Sequence, residues 1–113
     1  MAHGYSVRQY TLTLTGVAQS LAAAFATPAA GGADDIPVQQ ILLQPDSANS
    51  NIIKVGDADV ASTLYAFELA KPVTSIPPAP VSIGPLAASR IKPSTVYVLG
   101  TNNEKLHFLL IGF

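Results

Sequence analysis

Apolar residues in this chain alternate with polar ones in short runs that glycine, proline and asparagine keep interrupting. Tyr10, Leu12 and Leu14 alternate with Thr11, Thr13 and Thr15. A period of two with β-branched partners makes a half-buried strand, which Gly16 ends. Thr63–Leu69 places Tyr65, Phe67 and Leu69 on one side, taken as the core face, and Leu64, Ala66 and Glu68 on the other. Val38–Gln44, Ile52–Val55 and Val81–Ile83 are further strands. Thr95–Gly100 and Lys105–Ile111 read as a hairpin pair, with Thr101–Glu104 as the reversal because Asn tolerates left-handed dihedrals. Ala18–Phe25 has Leu21 and Phe25 four apart among alanines, the spacing of a short helix or helical turn. Thr27–Asp35 is punctuation, a mobile loop, and Pro45–Asn51 is turn chemistry. Ile76–Pro80 has prolines that cannot donate ladder hydrogen bonds, so it is an edge segment or extended linker.

These elements sum to an all-β fold: one β-sandwich or jelly-roll-like domain over residues 1–113, with seven or eight short strands, at most one short helix and a flexible N-terminal arm. A chain of 113 residues holds a single core. The alternation predicts that Leu12, Leu14, Ile41, Leu43, Ile53, Phe67, Val96, Val98, Phe108 and Leu110 form that core.

Charge narrows the function classes. Six Lys and Arg against seven Asp and Glu give a net charge of −1. A nucleic-acid clamp needs many cations, and so does a polybasic membrane-surface protein. Neither nucleic acid nor membrane is therefore an expected partner. The charged fraction is 12%, against about 25% in ordinary soluble domains. Protein interfaces are depleted of charge because burying it unpaired is costly, so this composition points to a surface that lies against protein. Cysteine is absent, which removes disulfides, thiolate nucleophiles and Cys-ligated metals. Leu21–Ala30 resembles the tail of a signal peptide, but the alternating TLTLTGVAQS before it is no apolar h-region. No apolar run approaches the ~20 residues of a membrane span.

No catalytic or cofactor-binding motif emerges. Asp57 and Asp59 in GDAD lack the further ligands of a calcium loop and read as a solvated turn. Asp34 and Asp35 read as solubilisers of a Gly/Ala loop. His107 points opposite to Leu106 and Phe108, toward a neighbouring strand or a partner. No serine sits in a G-x-S-x-G elbow, and a lone strand histidine cannot make a cupin-type metal site. Tyr5, Tyr10, Tyr65 and Tyr97 with no tryptophan make a thin sugar platform. The expectation is a non-enzyme without cofactor or metal.

The runs PVQQILLQPDSANSNIIKVGD, STLYAFEL, SIGP and TVYVLGTNNEKLHFLLIGF resemble small virion proteins of tailed bacteriophages. The resemblance covers most of Val38–Phe113 and part of the first strand. It implies a capsid cement or decoration protein, made in the bacterial host cytoplasm and placed on the capsid surface. Such a protein staples major capsid subunits and associates with itself as a dimer or trimer. A tail or head–tail connector component is the alternative, and a small sugar- or peptide-binding module a second. Irregular or edge segments are the expected contacts: Ala2, His3, Tyr5 and Arg8 of the arm, Thr27, Pro28, Asp34 and Asp35 of the loop, and Ile76, Pro77, Pro78 and Pro80 of the Pro-rich stretch.

Overall fold

Eight strands carry the alternation: β1 (Val7–Thr13), β2 (Gln19–Ser20), β3 (Gln40–Pro45), β4 (Ile53–Gly56), β5 (Phe67–Leu69), β6 (Val81–Ile83), β7 (Tyr97–Leu99) and β8 (Lys105–Ile111). The structure, a computed structural model, describes residues 7–25, 35–74, 76, 78–86 and 89–112. Among them the helical content is two 3-10 turns, Leu21–Ala24 and Pro93–Thr95. The first falls where a helical turn is expected. Ser20 caps it, its hydroxyl accepting from the Ala22 N–H at 3.1 Å.

The strands form two four-stranded antiparallel sheets, in orders β1-β8-β3-β6 and β2-β7-β4-β5. First pairs with last, second with seventh, third with sixth and fourth with fifth. A long hairpin of four strand pairs rolled on itself gives this nesting, and the pairs β3–β8 and β4–β7 close the roll. The fold is an all-β sandwich with jelly-roll connectivity.

The expected core residues lie between the sheets. Leu12, Leu14, Ile41, Leu43, Ile53, Val96, Val98, Phe108 and Leu110 are buried, joined by Leu21, Val38, Val55, Leu69 and Leu106. Tyr10 stacks on Phe108 with ring centroids 5.3 Å apart and meets Phe25 at 4.8 Å. Phe67 is only half-buried, packed on the margin of this core, and Tyr65 is exposed. The strand there is shorter than Thr63–Leu69, because Ala61 and Leu64 close a tight turn by exchanging backbone hydrogen bonds of 2.7 and 3.2 Å.

Two other expectations are corrected. The segments 95–100 and 105–111 are strands but not a hairpin, since β7 and β8 lie in opposite sheets. The rolled connectivity sends the chain from one sheet to the other at 100–104. Asn103 turns it there with φ of 71°, and Leu14 anchors it by backbone bonds to Asn103 and Glu104, both 2.8 Å. Val7 and Arg8 fall in β1, opposite Ile111 and Leu110, so Arg8 is a strand residue where an arm is expected.

The β3–β4 connection is held by a side chain. Asn49 is 7% exposed. Its Nδ2 donates to the Lys105 carbonyl at 2.7 Å, and its Oδ1 accepts the Lys105 N–H at 3.0 Å. Asn49→Ala strands that pair of backbone groups, and a buried polar group without a partner costs about 1–3 kcal/mol. Urea unfolding of Asn49→Ala should show a loss of that size. Leu64→Ala, at an exposed position, should lose no more than about 0.5 kcal/mol.

Candidate functional site

The outward residues of the β1-β8-β3-β6 sheet follow from its register. Val7, Ile111 and Gln40 make one row, Gln9, Leu109, Leu42 and Ser82 the next, and Thr11, His107 and Gln44 the third. The face is slightly hollow. A shallow concavity of about 510 Å³ is lined by Gln9, Thr11, Leu42, Gln44, Pro80, His107 and Leu109, among others. Amides brace this face: Gln40 Nε2 donates to Ser82 Oγ at 2.8 Å, and Gln44 Nε2 to the Pro78 carbonyl at 2.9 Å.

Within this face His107 has two partners. Its Nε2 lies 2.7 Å from Asp46 Oδ1, and its Nδ1 lies 2.9 Å from Thr11 Oγ1. An ionised carboxylate only accepts, so Nε2 carries a proton and donates to Asp46. In the neutral imidazole Nδ1 then accepts from the Thr11 hydroxyl; in the imidazolium it donates to it. The pleat brings Thr11 and His107 close. Leu14 bonds to the β8 side and Lys105 bonds to the β3 side, so by alternation Thr11 and His107 form a non-hydrogen-bonded pair, in which side chains approach most closely.

Asp46 is held by more than His107. The His107 hydrogen bond and the Ala48 N–H, 3.0 Å from Oδ2, both favour its ionised form. The charges of His107 and Lys105 add to them. Together they outweigh desolvation and keep the carboxyl below the usual aspartate value of 3.8.

The order carboxylate, imidazole, hydroxyl is that of a nucleophilic relay. Its setting differs. By the same alternation the Thr11 peptide groups point sideways to the free edge of β1. They run in the plane of the sheet, and do not converge above Oγ1 where an oxyanion would form.

The expected contact residues scatter. Arg8 lies on β1 and Pro80 just before β6, at opposite edges of one sheet. Pro80 does reach the concavity. Pro78 is half-buried against Gln44, and Ile76 is exposed in a turn closed by backbone bonds with Val73. Asp35 is corrected: it is buried, and its carboxylate accepts from Ser94 N at 3.0 Å and Ser94 Oγ at 2.6 Å. It ties the 3-10 turn 93–95 to the segment that leads toward β3 and solubilises nothing. Ala2, His3, Tyr5, Thr27, Pro28, Asp34 and Pro77 lie outside the described residues. In GDAD, Asp57 Oδ1 accepts the Asp59 N–H at 2.9 Å, the local turn its composition suggests.

Asp46 and Thr11 are not singled out by the sequence. The only signal is parity, because Asp46 follows Gln44 by two and so lies on the same face as His107. That signal becomes readable once β3 is known to lie beside β8. No protein-family model matches the chain, and no curated protein matches it.

A lowered carboxyl pKa gives stability that is full above the ordinary aspartate value and is lost as pH falls through the folded value. Asp46→Asn should therefore melt below wild type at about pH 5, and the gap should narrow by about pH 2 as the wild-type carboxylate protonates. Thermal melts at the two pH values check this; an unchanged gap would show that the Asp46 charge contributes nothing.

Proposed function

We propose that the chain is a non-catalytic structural protein of a bacteriophage virion, a cement or decoration protein that grips the capsid through the outer face of the β1-β8-β3-β6 sheet. The observation that carries this reading is the chemistry of that face. Outward positions of an antiparallel sheet that meets water are ordinarily polar. Here Leu42, Leu109 and Ile111 hold the middle, ringed by Gln9, Thr11, Gln40, Gln44 and Ser82. Apart from the His107–Asp46 pair, formal charge on these rows is confined to Lys105 at one end. An apolar centre with a neutral hydrogen-bonding rim desolvates at low cost and fits a protein partner.

The sequence resemblance to tailed-phage virion proteins supplies the partner, the major capsid protein, and the capsid surface as location. The fold does not decide between roles, because jelly rolls serve in capsids and lectins alike. One observation favours a second reading: the concavity brings the Gln9 and Gln44 amides and His107 beside leucines, a lining that a peptide or sugar could use.

Particles from the phage genome that encodes the chain test the proposal. Cryo-electron microscopy should find the chain on the outer shell, with this face against capsid subunits; density on the tail would move it to the connector reading. A Leu42→Lys, Leu109→Glu double variant, with opposite charges across one rung, should stay folded and lose most of its occupancy. Purified virions that lack the chain altogether would sink the structural reading.

A further inference from the structure

Four strands lie at sheet edges, and three of them are short. β2 has two residues, β5 three with Glu68 among them, and β6 three between Pro80 and Pro85. Short, charged or proline-flanked edges are the usual guards against unwanted pairing. β1 is different: seven residues without proline, on the open side of its sheet among the described residues.

Backbone alternation tells which groups are open. Leu14 bonds to the β8 side, so the even residues of β1 do too, and the N–H and C=O of Val7, Gln9, Thr11 and Thr13 point to the free edge. One end of this row is sealed. Gln19 Nε2 donates to the Thr13 carbonyl at 3.3 Å, and Gln19 Oε1 accepts the Thr15 N–H at 2.9 Å. A side-chain amide thus does what a neighbouring strand would do, and the rungs at Val7, Gln9 and Thr11 are left.

We propose that this edge pairs with the same edge of a second copy of the chain, antiparallel, about a two-fold axis at Gln9. The free rungs set the register. Gln9 faces Gln9 of the second copy and Val7 faces Thr11, so about six backbone hydrogen bonds form and every open group between Val7 and Thr11 is used. A register centred one residue later would need the Thr13 carbonyl that Gln19 already holds. The charge pattern fits as well: Arg8, the one charged residue of β1, comes opposite Tyr10 and not opposite another Arg8. Outward residues stay outward, so two copies make one continuous sheet with the Leu42/Leu109 face doubled on one side. The dimer deepens the docking role proposed above but rests on the strand edge alone, so either can fail without the other.

Sedimentation of the whole chain, from micromolar to millimolar, should show a monomer–dimer equilibrium. Gln9→Lys puts two ammonium groups at the axis and should abolish the dimer while leaving the melt in place. Because the chain has no cysteine, single-Cys variants report the register without perturbing it. In this register the Gln9 Cα atoms lie about 5.5 Å apart, within disulfide reach. Gln9→Cys should oxidise to a covalent dimer, and Thr13→Cys should stay reduced under the same conditions. A chain that remains monomeric at millimolar concentration overturns the proposal. So does a dimer that survives Gln9→Lys, or one in which Thr13→Cys cross-links and Gln9→Cys does not.

Discussion

Everything in the β1-β8-β3-β6 sheet depends on β8 being paired on both sides. Lys105–Ile111 holds β1 on one flank and β3 on the other. Its even residues Leu106, Phe108 and Leu110 close the core, while its odd residues His107, Leu109 and Ile111 build the outer face. A one-residue slip of such a strand would exchange the two sets. Three large apolar side chains would then lose their burial, so the register is fixed by the core, and the outer face inherits its arrangement from that choice. The Thr11–His107–Asp46 contacts are a consequence: β8 brings to one spot a residue of the first strand and one from the loop after the third.

Side chains that stand in for peptide groups are the second theme. Asn49 pairs with both backbone groups of Lys105, Gln19 bridges Thr13 and Thr15, and the Asp35 carboxylate takes both donors of Ser94. Glu104 adds a fourth case, accepting from the backbone of Ser50 and Asn51. Strands as short as β2 or β6 leave many backbone groups beyond the ladders, and a buried group must find a partner. Amide and carboxylate side chains meet that need without further strands. A small domain with connections as long as these gains fixed loop positions that apolar contacts alone would not specify.

This division of labour explains what could be read from the residues. Faces were legible. Parity along Tyr10–Leu14, Ile41–Leu43 and Phe108–Leu110 assigns inside and outside wherever one face is buried, and burial follows it. Partners were not legible. Lys105–Ile111 and Thr95–Gly100 adjoin through a reversal and look like a hairpin, yet the roll separates them into two sheets. Nothing local distinguishes a turn that folds back from one that crosses the sandwich. The same limit hid the Asp46–His107 pair and the capping role of Asp35, since both join residues about sixty positions apart in sequence. Asp35 sat in a run that composition marks as mobile and solvated, and only the long-range contact with Ser94 reverses that reading.

The outer sheet face and the β1 edge differ in what they ask of a partner. The face offers leucines within a polar rim and asks for shape. The edge offers peptide groups at fixed spacing and asks for another strand, whatever its side chains. A chain short of charge has few means of refusing wrong partners by like-charge repulsion. Its selectivity must then come from geometry, through edge strands that, among the described residues, are short except for β1. Gln19 closes that edge after three rungs, and those rungs are self-complementary about Gln9. Low charge and guarded edges therefore belong to the same arrangement: the first makes the surface cheap to desolvate, and the second restricts where desolvation leads to pairing.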